Sequence, residues 1–370
     1  MKIGLIINPI AGVGGPAGLK GSDGAEIQEL ALYRGSTFQS AKKVKIALEA
    51  LRSVEISFEL YTGAGELGEE IVKELGFPCQ VFGSKKSKTT SQDTEDLAKV
   101  LAKQVELLVF AGGDGTARNI YHAVGLSIPC VGIPTGVKIH SAVYGNSPKA
   151  AGQLIARFIN HPESAQLVER EVMDIDEEKF RQEIIEARLY GYLEVPYVSQ
   201  LMQPSKASVK FSEYDVMGIA DEIADRMKKL PTDTCFLFGT GGTTFKVMAH
   251  LGFSGSLLGV DVVINQAVVI KDATEKALFD LLRGRRVVLI LTVIGGQGHI
   301  LGRGNQQISP RIVRDVLPSD IWIVSTAAKI YHLPNHALRV DTSDWELDQQ
   351  LAGYWKVIVG WQEQIVCPIV

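Results

Sequence analysis

The sequence predicts an α/β protein of two domains, the first of them built on a doubly wound parallel sheet. Short apolar segments, such as residues 3–7 and 107–110, alternate with segments of helical periodicity, which is the rhythm of βαβ units. Glycine-rich loops follow directly on these apolar segments, at the strand ends where doubly wound sheets bind their ligands. With 370 residues and 46% hydrophobic content, the chain is long enough to bury two cores.

The composition argues against several classes of protein. The formal net charge of −4 does not suit a nucleic-acid binder that depends on bulk electrostatics. The four cysteines stand singly, without the spacing of a metal site, and favour reduced thiols. The first strand turns into a glycine-rich loop too soon for a signal peptide, and no apolar run approaches the roughly 20 residues that span a bilayer. We therefore expect a soluble, cytoplasmic protein with no nucleic-acid or membrane partner.

The first predicted strand leads into a glycine-rich loop over 8–15, which begins with Asn8. Gly12, Gly14 and Ala17 match the dinucleotide fingerprint G-x-G-x-x-A, but further glycines prolong the loop where a helix should begin. This loop therefore has two open interpretations, a phosphate or ribose site and a surface turn.

The following elements continue the alternation up to the central motif. Their predicted bounds are a helix over 36–52, a strand over 54–61, a helix over 65–75, a strand over 79–82 and a helix over 94–104. The next strand, 107–110, enters a loop of sequence Gly112-Gly113-Asp114-Gly115-Thr116, which we call the GGDGT loop, and a helix follows it.

The GGDGT loop predicts phosphoryl-transfer chemistry. Its glycines let the backbone approach a ligand closely, so the amides of Gly112, Gly113, Gly115 and Thr116 can hold phosphates beside a helix N-terminus. Asp114 can then orient and deprotonate a hydroxyl that attacks a phosphoryl group. The alternative is a structural aspartate that caps the helix or stabilises the turn.

A third loop follows the predicted strand 129–133 and contains Gly136, Lys138 and His140. Because this loop also lies at a strand end, Lys138 and His140 are candidates for a phosphate site. A structural or solvated role is the alternative for each of them.

The pattern changes after residue 146. A helix over 148–160 precedes an acidic stretch over 169–186 that includes Asp174, which we expect to be a solvated face, with metal binding as the alternative. The next predicted elements are a strand over 188–195, a helix over 212–230, a strand over 235–238 and a hairpin over 257–270 that turns at Asn265-Gln266. The strand 235–238 enters the threonine loop, Gly239-Thr240-Gly241-Gly242-Thr243-Thr244, whose hydroxyls and amides suit phosphate or ribose groups.

The βαβ rhythm returns near Arg286. A strand over 287–294 leads into Gly295-Gly296-Gln297-Gly298, Ser309-Pro310 predicts a helix start, and residues 321–324 form the next strand. We therefore expect a first domain of residues 1–145 that is completed by residues 285–370, with a second domain over 146–284.

These loops resemble those of the ATP-NAD kinase family, in particular its AcoX-like branch. The GGDGT loop matches the signature of the family, and the threonine loop is similar to its second-domain TGSTAY-type motif. Asn8-Pro9 and the segments 132–138, 295–298 and 304–307 resemble features of the branch.

The resemblance implies a Rossmann-like N-terminal domain, a β-rich second domain and a homo-oligomer, either a dimer or a tetramer. It also implies transfer of the phosphoryl group of ATP, or of polyphosphate, to the 2′-hydroxyl of NAD with Mg²⁺ or Mn²⁺. The residues that it assigns are catalytic Asp114, the donor-side residues Asn8, Gly112, Gly113, Gly115, Thr116, Gly136 and Lys138, and the dinucleotide-binding residues Thr240, Gly241, Gly242, Thr243 and Thr244.

Two further positions bear on the acceptor, and one of them departs from the family pattern. Lipid kinases with the same loop usually carry a glutamate three residues after the threonine, where this chain has Asn119, and this favours a dinucleotide. The Asn-Glu/Asp motif of the family has no clear match, although residues 188–195 lie about where it would be. A lipid or other small-molecule kinase and a non-catalytic nucleotide-binding regulator are therefore the alternatives.

Overall fold

The computed structural model describes residues 1–19, 24–136, 139–175, 187–198, 201–202, 213–294 and 298–370. The chain folds into two compact units. The first comprises Met1–Val13, Gly21–Gln28 and Thr37–Ser205, and the second comprises Gly14–Lys20, Glu29–Ser36 and Lys206–Val370. None of the helices in the described stretches is long and apolar enough to cross a membrane.

Five strands in the N-terminal part of the chain form one parallel sheet. The elements are, in chain order, β1 (Lys2–Ile7), α1 (Ala25–Tyr33), α2 (Ser40–Glu49), β2 (Glu59–Gly63), α3 (Glu69–Glu74), β3 (Cys79–Phe82), α4 (Ser91–Leu101), β4 (Leu107–Gly112), α5 (Asp114–Val124), β5 (Cys130–Pro134), α6 (Pro148–Asn160), β6 (Leu167–Ile175) and β7 (Ala187–Pro196). The sheet has the strand order β3-β2-β1-β4-β5, which is one half of a doubly wound fold. The predicted Rossmann-like domain with a parallel sheet is confirmed.

The central strands of this sheet form a rigid base for the loops that follow them. Every residue of β4 is buried, and all residues of β1 except Lys2 are buried. A strand that is buried on both faces reads as a continuous apolar run, which is why both strands were visible in the sequence. The GGDGT loop therefore begins at a strand end that packing holds in place.

The stretch that follows residue 145 packs in the first unit, whereas we expected it to begin a second domain. The apolar face of α6, which includes Ala151, Leu154 and Ile155, joins the hydrophobic core of the five-stranded sheet. Strands β6 and β7 form an antiparallel hairpin in the same unit. A helix with an amphipathic pattern must bury its apolar face, but the pattern does not say against which core.

Close packing of α6 on α2 gives a test of this fold. A Cβ atom on Gly152 would lie 2.1 Å from the carbonyl oxygen of Ala47. Replacing a mid-helix glycine by alanine gains about 0.5–1 kcal/mol of helix propensity, whereas overpacking against backbone costs about 1–3 kcal/mol. We therefore expect Gly152→Ala to lower the free energy of unfolding, by up to about 2 kcal/mol, in urea denaturation.

Gly218→Ala is the matched control for Gly152→Ala. Gly218 is also a mid-helix glycine, but its added Cβ would lie 3.1 Å from the nearest atom, the amide nitrogen of Trp361. We expect a smaller loss, or a gain, for Gly218→Ala. Equal effects of the two substitutions would contradict the close helix contact.

The second unit contains a larger, mixed sheet. Its elements are α7 (Glu213–Lys228), β8 (Cys235–Phe238), α8 (Gly242–His250), β9 (Asp261–Ile264), β10 (Ala267–Ile270), α9 (Glu275–Leu282), β11 (Val287–Thr292), β12 (His299–Leu301), α10 (Pro310–Val313), β13 (Ile321–Val324), α11 (Ala327–Tyr331), β14 (Arg339–Val340), α12 (Trp345–Leu351), β15 (Gly353–Gly360) and β16 (Glu363–Ile369). The predicted hairpin is confirmed as β9 and β10, and it turns at Asn265 and Gln266 with φ of 51° and 57°. The predicted strand-rich second domain is also confirmed.

The C-terminal strands lie in this second sheet, whereas we expected residues 285–370 to complete the first one. The strand order is β10-β9-β8-β11-β13-β15-β16, with β8, β11, β13 and β15 parallel. β11 lies between β8 and β13, so its neighbours come from both sides of the expected boundary at residue 285. Its alternate residues enter two different apolar clusters, with Leu289 in one and Val288 in the other. A strand that is apolar on both faces fits the interior of either sheet, and only packing chooses between them.

Candidate active site

The GGDGT loop is a sharp strand-to-helix junction. β4 ends at Gly112, Gly113 is the N-cap of α5, and Asp114 is the first helical residue. A Cβ atom on Gly112 would lie 2.3 Å from the Cβ atom of Thr116, so a side chain at position 112 would collide with Thr116. No side chain caps α5, whereas Thr90 and Ser147 cap α4 and α6. The first amides of α5 have no intrahelical acceptor and lie at the positive end of the helix dipole, where an anion is favoured.

The Asp114 carboxylate is buried and surrounded by donors. Asp114 is only 6% exposed to solvent. Oδ1 accepts hydrogen bonds from the Ser141 amide at 3.0 Å and from the Ser141 hydroxyl at 2.7 Å. Oδ2 accepts from the His140 amide at 2.7 Å and lies 3.1 Å from His140 Nδ1. Asp114 therefore holds the segment 139–141 against the start of α5.

Asp174 is buried next to Met173, whose backbone bonds to Ser141, and this burial corrects its interpretation as part of a solvated face. It is 7% exposed and lies 2.7 Å from Arg118, one turn after Asp114 on α5. The Ser141 hydroxyl oxygen accepts a hydrogen bond from the Met173 amide at 3.0 Å. The acidic composition of this stretch concealed Asp174, because one carboxylate among several acidic residues carries no local signal of its burial.

Asn8 fastens the end of β1 to the start of α5. Its side-chain amide donates to the Thr116 hydroxyl at 3.0 Å, and its Oδ1 accepts from the Ile10 amide at 3.2 Å. Asn8 thus fixes the side chain of Thr116 at the end of the GGDGT loop. Its predicted contact with the phosphate donor stays a prediction.

The third loop lies directly against the GGDGT loop. The amides of Thr135 and Gly136 donate to the Gly112 carbonyl at 3.0 and 3.1 Å, and a Cβ atom on Gly136 would lie 2.6 Å from Gly113 Cα. The structure therefore brings together the predicted residues Asn8, Gly112, Gly113, Asp114, Gly115, Thr116 and Gly136. Lys138 lies outside the described residues.

Thr135 is a candidate that the sequence analysis did not assign. It is 1% exposed, and its hydroxyl has no hydrogen-bond partner among the described residues. A buried hydroxyl without a partner is costly, so it marks a place where a ligand or an ordered water can bond. Its position after β5, beside a glycine, was the available signal in the sequence.

The threonine loop is built differently, within the second unit. Thr240 donates from its amide to Asn305 Oδ1 at 2.7 Å and from its hydroxyl to the Gly304 carbonyl at 2.9 Å. The Thr244 hydroxyl lies 2.7 Å from the Gly239 carbonyl, to which it donates. Two of the three threonine hydroxyls therefore donate to backbone carbonyls and shape the loop from inside. Their predicted contact with a dinucleotide stays a prediction.

The remaining part of the threonine loop offers open donors. Gly241 has φ of 135° and is the N-cap of α8, again with no side-chain cap. Gly242 is exposed, and the first amides of α8 lack intrahelical acceptors. Gly242 and Thr243 are therefore the residues of this loop that suit a phosphate or a ribose hydroxyl.

Lys329 is a perturbed group of the second unit for which the sequence carries no signal. Its ammonium donates to the Val293 carbonyl, just beyond the end of β11. Burial lowers the pKa of Lys329 from 10.5 to about 8. In the folded protein this lysine therefore loses its proton at a lower pH than in the unfolded chain.

This shift predicts a pH dependence of stability. Below about pH 8 Lys329 is protonated in both the folded and the unfolded chain. Between about pH 8 and 10.5 it is protonated only in the unfolded chain, so the free energy of unfolding rises across this range. The rise is about 1.4 kcal/mol for each unit of difference between the two pKa values. We expect Lys329→Met to abolish this rise in the free energy of unfolding. Guanidinium denaturation of the wild-type and variant chains between about pH 8 and 10.5 measures it. Lys356→Met, at an exposed lysine, should keep the wild-type slope, and a slope unchanged by Lys329→Met would contradict the assignment.

Groups of three or more His, Cys, Asp or Glu side chains that could hold a metal ion do not occur in the described part of the chain. Near the GGDGT loop the available carboxylate is Asp114, whose oxygens already accept several donors. This donor set fits a divalent ion only if most of its ligands come from phosphate groups and water.

Comparisons with known proteins agree with this geometry. Residues 3–163 match the family model of the ATP-NAD kinase N-terminal domain, and residues 233–368 match that of the ATP-NAD kinase C-terminal domain. No curated protein matches the chain significantly.

Two solved structures from Bacillus anthracis str. Sterne are similar to part of the chain, both assigned as diacylglycerol kinases, one of them provisionally. Each is 16% identical, with TM-scores of 0.26 and 0.25. The matches cover 48% of this chain and 44% and 46% of those chains, so the likeness spans less than half of each relative. Similarity at this level carries no argument about substrate.

Proposed function

The chain belongs to the ATP-NAD kinase family, and we propose that it transfers the γ-phosphoryl group of ATP to the 2′-hydroxyl of NAD, which produces NADP and ADP. The reaction class of the family is phosphoryl transfer to an alcohol. The observation that supports the proposal most directly is the junction at Gly113, where an uncapped helix N-terminus and a buried carboxylate occur together.

We assign the phosphates of ATP to the GGDGT loop. Phosphoryl transfer needs positioning and charge neutralisation more than covalent chemistry, and backbone amides at a helix N-terminus supply both. Gly113, Gly115 and Thr116 carry these amides, and Thr135 adds a hydroxyl whose hydrogen-bonding capacity is unused among the described residues. Lys138 remains a predicted donor-side residue.

The proton of the attacking hydroxyl is assigned to the Asp114–His140 pair. Asp114 was predicted as the catalytic carboxylate, and its hydrogen bond to His140 makes the two side chains one proton-handling unit. General-base assistance of this kind is typically worth about 10²–10⁴ in rate. Mg²⁺ or Mn²⁺ bound with ATP would supply neutralisation of charge on the phosphates.

The dinucleotide is assigned to the threonine loop of the second unit. Gly242 and Thr243 offer amides and a hydroxyl at the start of α8, which suits a phosphate or a ribose. Thr240, Gly241 and Thr244 give the loop its shape. A homo-oligomer and a cytoplasmic location also remain predictions, the first of which sedimentation velocity measures directly.

An acceptor panel tests the proposed function. The purified full chain is incubated with labelled ATP and Mg²⁺ or Mn²⁺ and is offered NAD, NADH, diacylglycerol or sugar phosphates, and polyphosphate replaces ATP in a parallel set. We expect labelled NADP as the main product. Phosphorylation of diacylglycerol or a sugar phosphate in preference to NAD would replace the acceptor. Binding of NAD or ATP in calorimetry without turnover would assign the chain as a regulator.

A further inference from the structure

We propose that the carboxyl ends of β8, β11 and β13 form a phosphate-binding subsite of the second unit, in which Thr292, Thr326 and Lys329 act together with the start of α8. We call these three residues the strand-end cluster. The ligand is a phosphate or pyrophosphate group, either free or carried by a dinucleotide. The proposal deepens the proposed function, and it rests on that function for the dinucleotide as a source of the group.

The topology of the second sheet creates a crevice at these strand ends. β8 and β11 are parallel neighbours, but the chain leaves them toward opposite faces of the sheet. After β8 it enters α8, whose Val247 packs in one apolar cluster, and after β11 it reaches Ile300, which packs in the other. In an open α/β sheet, ligands bind at the carboxyl ends of two strands that diverge in this way. The second unit therefore has a switch point of its own, beside the threonine loop.

The start of α8 supplies backbone donors at this crevice. The helix has nine residues, and no side chain caps it. The amides of Gly242, Thr243 and Thr244 have no acceptor among the described residues, and they lie at the positive end of the helix dipole. Gly242 is exposed, so an anion can reach this helix start from solvent.

Two buried hydroxyls adjoin the start of α8. Thr292 is the last residue of β11 and pairs in register with Val324, two residues before Thr326. Both threonines are at most 1% exposed, and neither hydroxyl has a hydrogen-bond partner in the described part of the chain. Thr292 lies against the N-cap of α8, because a Cβ atom on Gly241 would lie 2.5 Å from its methyl carbon. Burying a hydroxyl without a partner is costly, so this pair marks a place where a ligand can bond.

Lys329 brings a positive charge to the same strand ends. Its ammonium donates to the carbonyl of Val293, the residue after Thr292, and its backbone amide donates to the Thr326 carbonyl at 3.1 Å. Lys329 therefore connects the ends of β11 and β13. Burial lowers the pKa of Lys329 to about 8, so the side chain is still a cation at neutral pH. A phosphate group beside it would offset the cost of burying that charge.

The surrounding chain is also suited to an anion. Residues 321–340 contain one lysine, one arginine and two histidines but neither aspartate nor glutamate. Asp341, which follows this stretch, lies 3.6 Å from Arg303, which offsets its charge. β11 carries no charged residue. The ends of β11 and β13 therefore favour negative over positive ligands.

Calorimetry tests the subsite without turnover. The purified full chain is titrated at neutral pH with sodium pyrophosphate and, separately, with NAD. We expect Lys329→Met, Thr292→Val and Thr326→Val each to weaken pyrophosphate binding by about 10–100-fold, which is the effect of losing a hydrogen bond to a charged group. The loss in these variants, rather than binding itself, identifies the subsite, because the GGDGT loop can bind the same anion.

Thr234→Val is the matched control. Thr234 is also 1% exposed with a hydroxyl that lacks a partner among the described residues, but it precedes β8 and so lies at the amino end of the strand. It should bind pyrophosphate like the wild type. Thr292→Ser keeps the hydroxyl and should also bind normally. Circular dichroism and thermal unfolding confirm that each variant is folded.

A competition experiment identifies the source of the phosphate group. If pyrophosphate competes with NAD, and the strand-end variants weaken both, the group belongs to the dinucleotide. If pyrophosphate binds alongside NAD, and the variants weaken pyrophosphate alone, the subsite takes a free phosphate ligand. Unchanged binding of both ligands in Thr292→Val and Lys329→Met would overturn the proposal.

The proposal and the proposed function fail in different ways. A chain that phosphorylates an acceptor other than NAD, but loses pyrophosphate binding in the strand-end variants, keeps the subsite and loses the NAD assignment. A chain that produces NADP, and binds both ligands normally in every variant, keeps the function and loses the subsite.

Discussion

Asp114→Asn is expected to lower kcat for phosphoryl transfer by about 10²–10⁴. The asparagine oxygen can still accept from Ser141, but its amide nitrogen faces the amide and ring donors of His140. The imidazole then loses both its orientation and its counter-charge. Binding of NAD or ATP is expected to change much less, because the carboxylate is buried and the loop amides are unchanged by the substitution. Steady-state kinetics and calorimetry measure the two effects separately.

Asp93→Asn is the control for this substitution. Asp93 also lies in the first turn of a helix, where it accepts from the Thr90 amide at 2.8 Å, but its carboxylate belongs to an exposed capping box. We expect a small loss of stability and unchanged turnover. An Asp114→Asn chain that unfolds cooperatively and keeps nearly the wild-type kcat would contradict a role for Asp114 in the reaction.

Asn305→Ala is expected to cause the largest loss of stability, about 2–5 kcal/mol. Asn305 is fully buried, and its Oδ1 accepts from the Thr240 amide at 2.7 Å while its side-chain amide donates to the Ile300 carbonyl at 2.9 Å. Alanine leaves both backbone groups buried without a partner, and each such group costs about 1–3 kcal/mol. Because Thr240 is part of the threonine loop, we also expect weaker binding of NAD.

Urea denaturation measures this loss, and Asn160→Ala controls it. Asn160 also accepts a backbone amide, that of Glu55 at 3.2 Å, but in an exposed position where water replaces the lost partner. Its substitution should cost less than about 1 kcal/mol. Losses of similar size for the two asparagines would mean that the buried bonds of Asn305 do not hold the threonine loop.

The strand-to-helix junctions could be predicted because they depend on residues that are close in the chain. An apolar run followed by glycines and a helical pattern specifies a buried strand, a tight turn and a helix start. The junction at Gly113 was expected on this basis and is present. The threonine loop was expected after the strand 235–238, but the helix that begins at Gly242 was not predicted. The Rossmann-like sheet follows from repetition of the same local pattern.

The role of the threonine loop illustrates where local pattern is insufficient. Three threonines after a strand suggested hydroxyls that meet a ligand, yet Thr240 and Thr244 bond to backbone carbonyls of the unit itself. The partner of the Thr240 amide, Asn305, lies 65 residues away in the chain. A hydroxyl bonds equally well to a ligand or to a carbonyl, so composition cannot distinguish a binding residue from a shaping one.

The sheet to which residues 285–370 belong is a second feature that the local sequence pattern could not predict. β8 and β11 are both buried throughout and almost entirely apolar, and either would fit the interior of either sheet. Their pairing depends on which helices and strands fill the two faces of the sheet. That choice is made by packing over the whole unit, which no window of sequence contains.

The GGDGT loop combines features that local sequence determines with features that only tertiary packing determines. Its uncapped helix-start amides and its carboxylate are encoded in five adjacent residues, since glycine conformation and helix start are local properties. The partners of Asp114, His140 and Ser141, are 26 and 27 residues away, and they reach it only because β4 and β5 are neighbours in the sheet. The donors that surround the Asp114 carboxylate were therefore decided by the tertiary structure, because a hydrogen bond between residues far apart in the chain depends on which strands the fold makes neighbours.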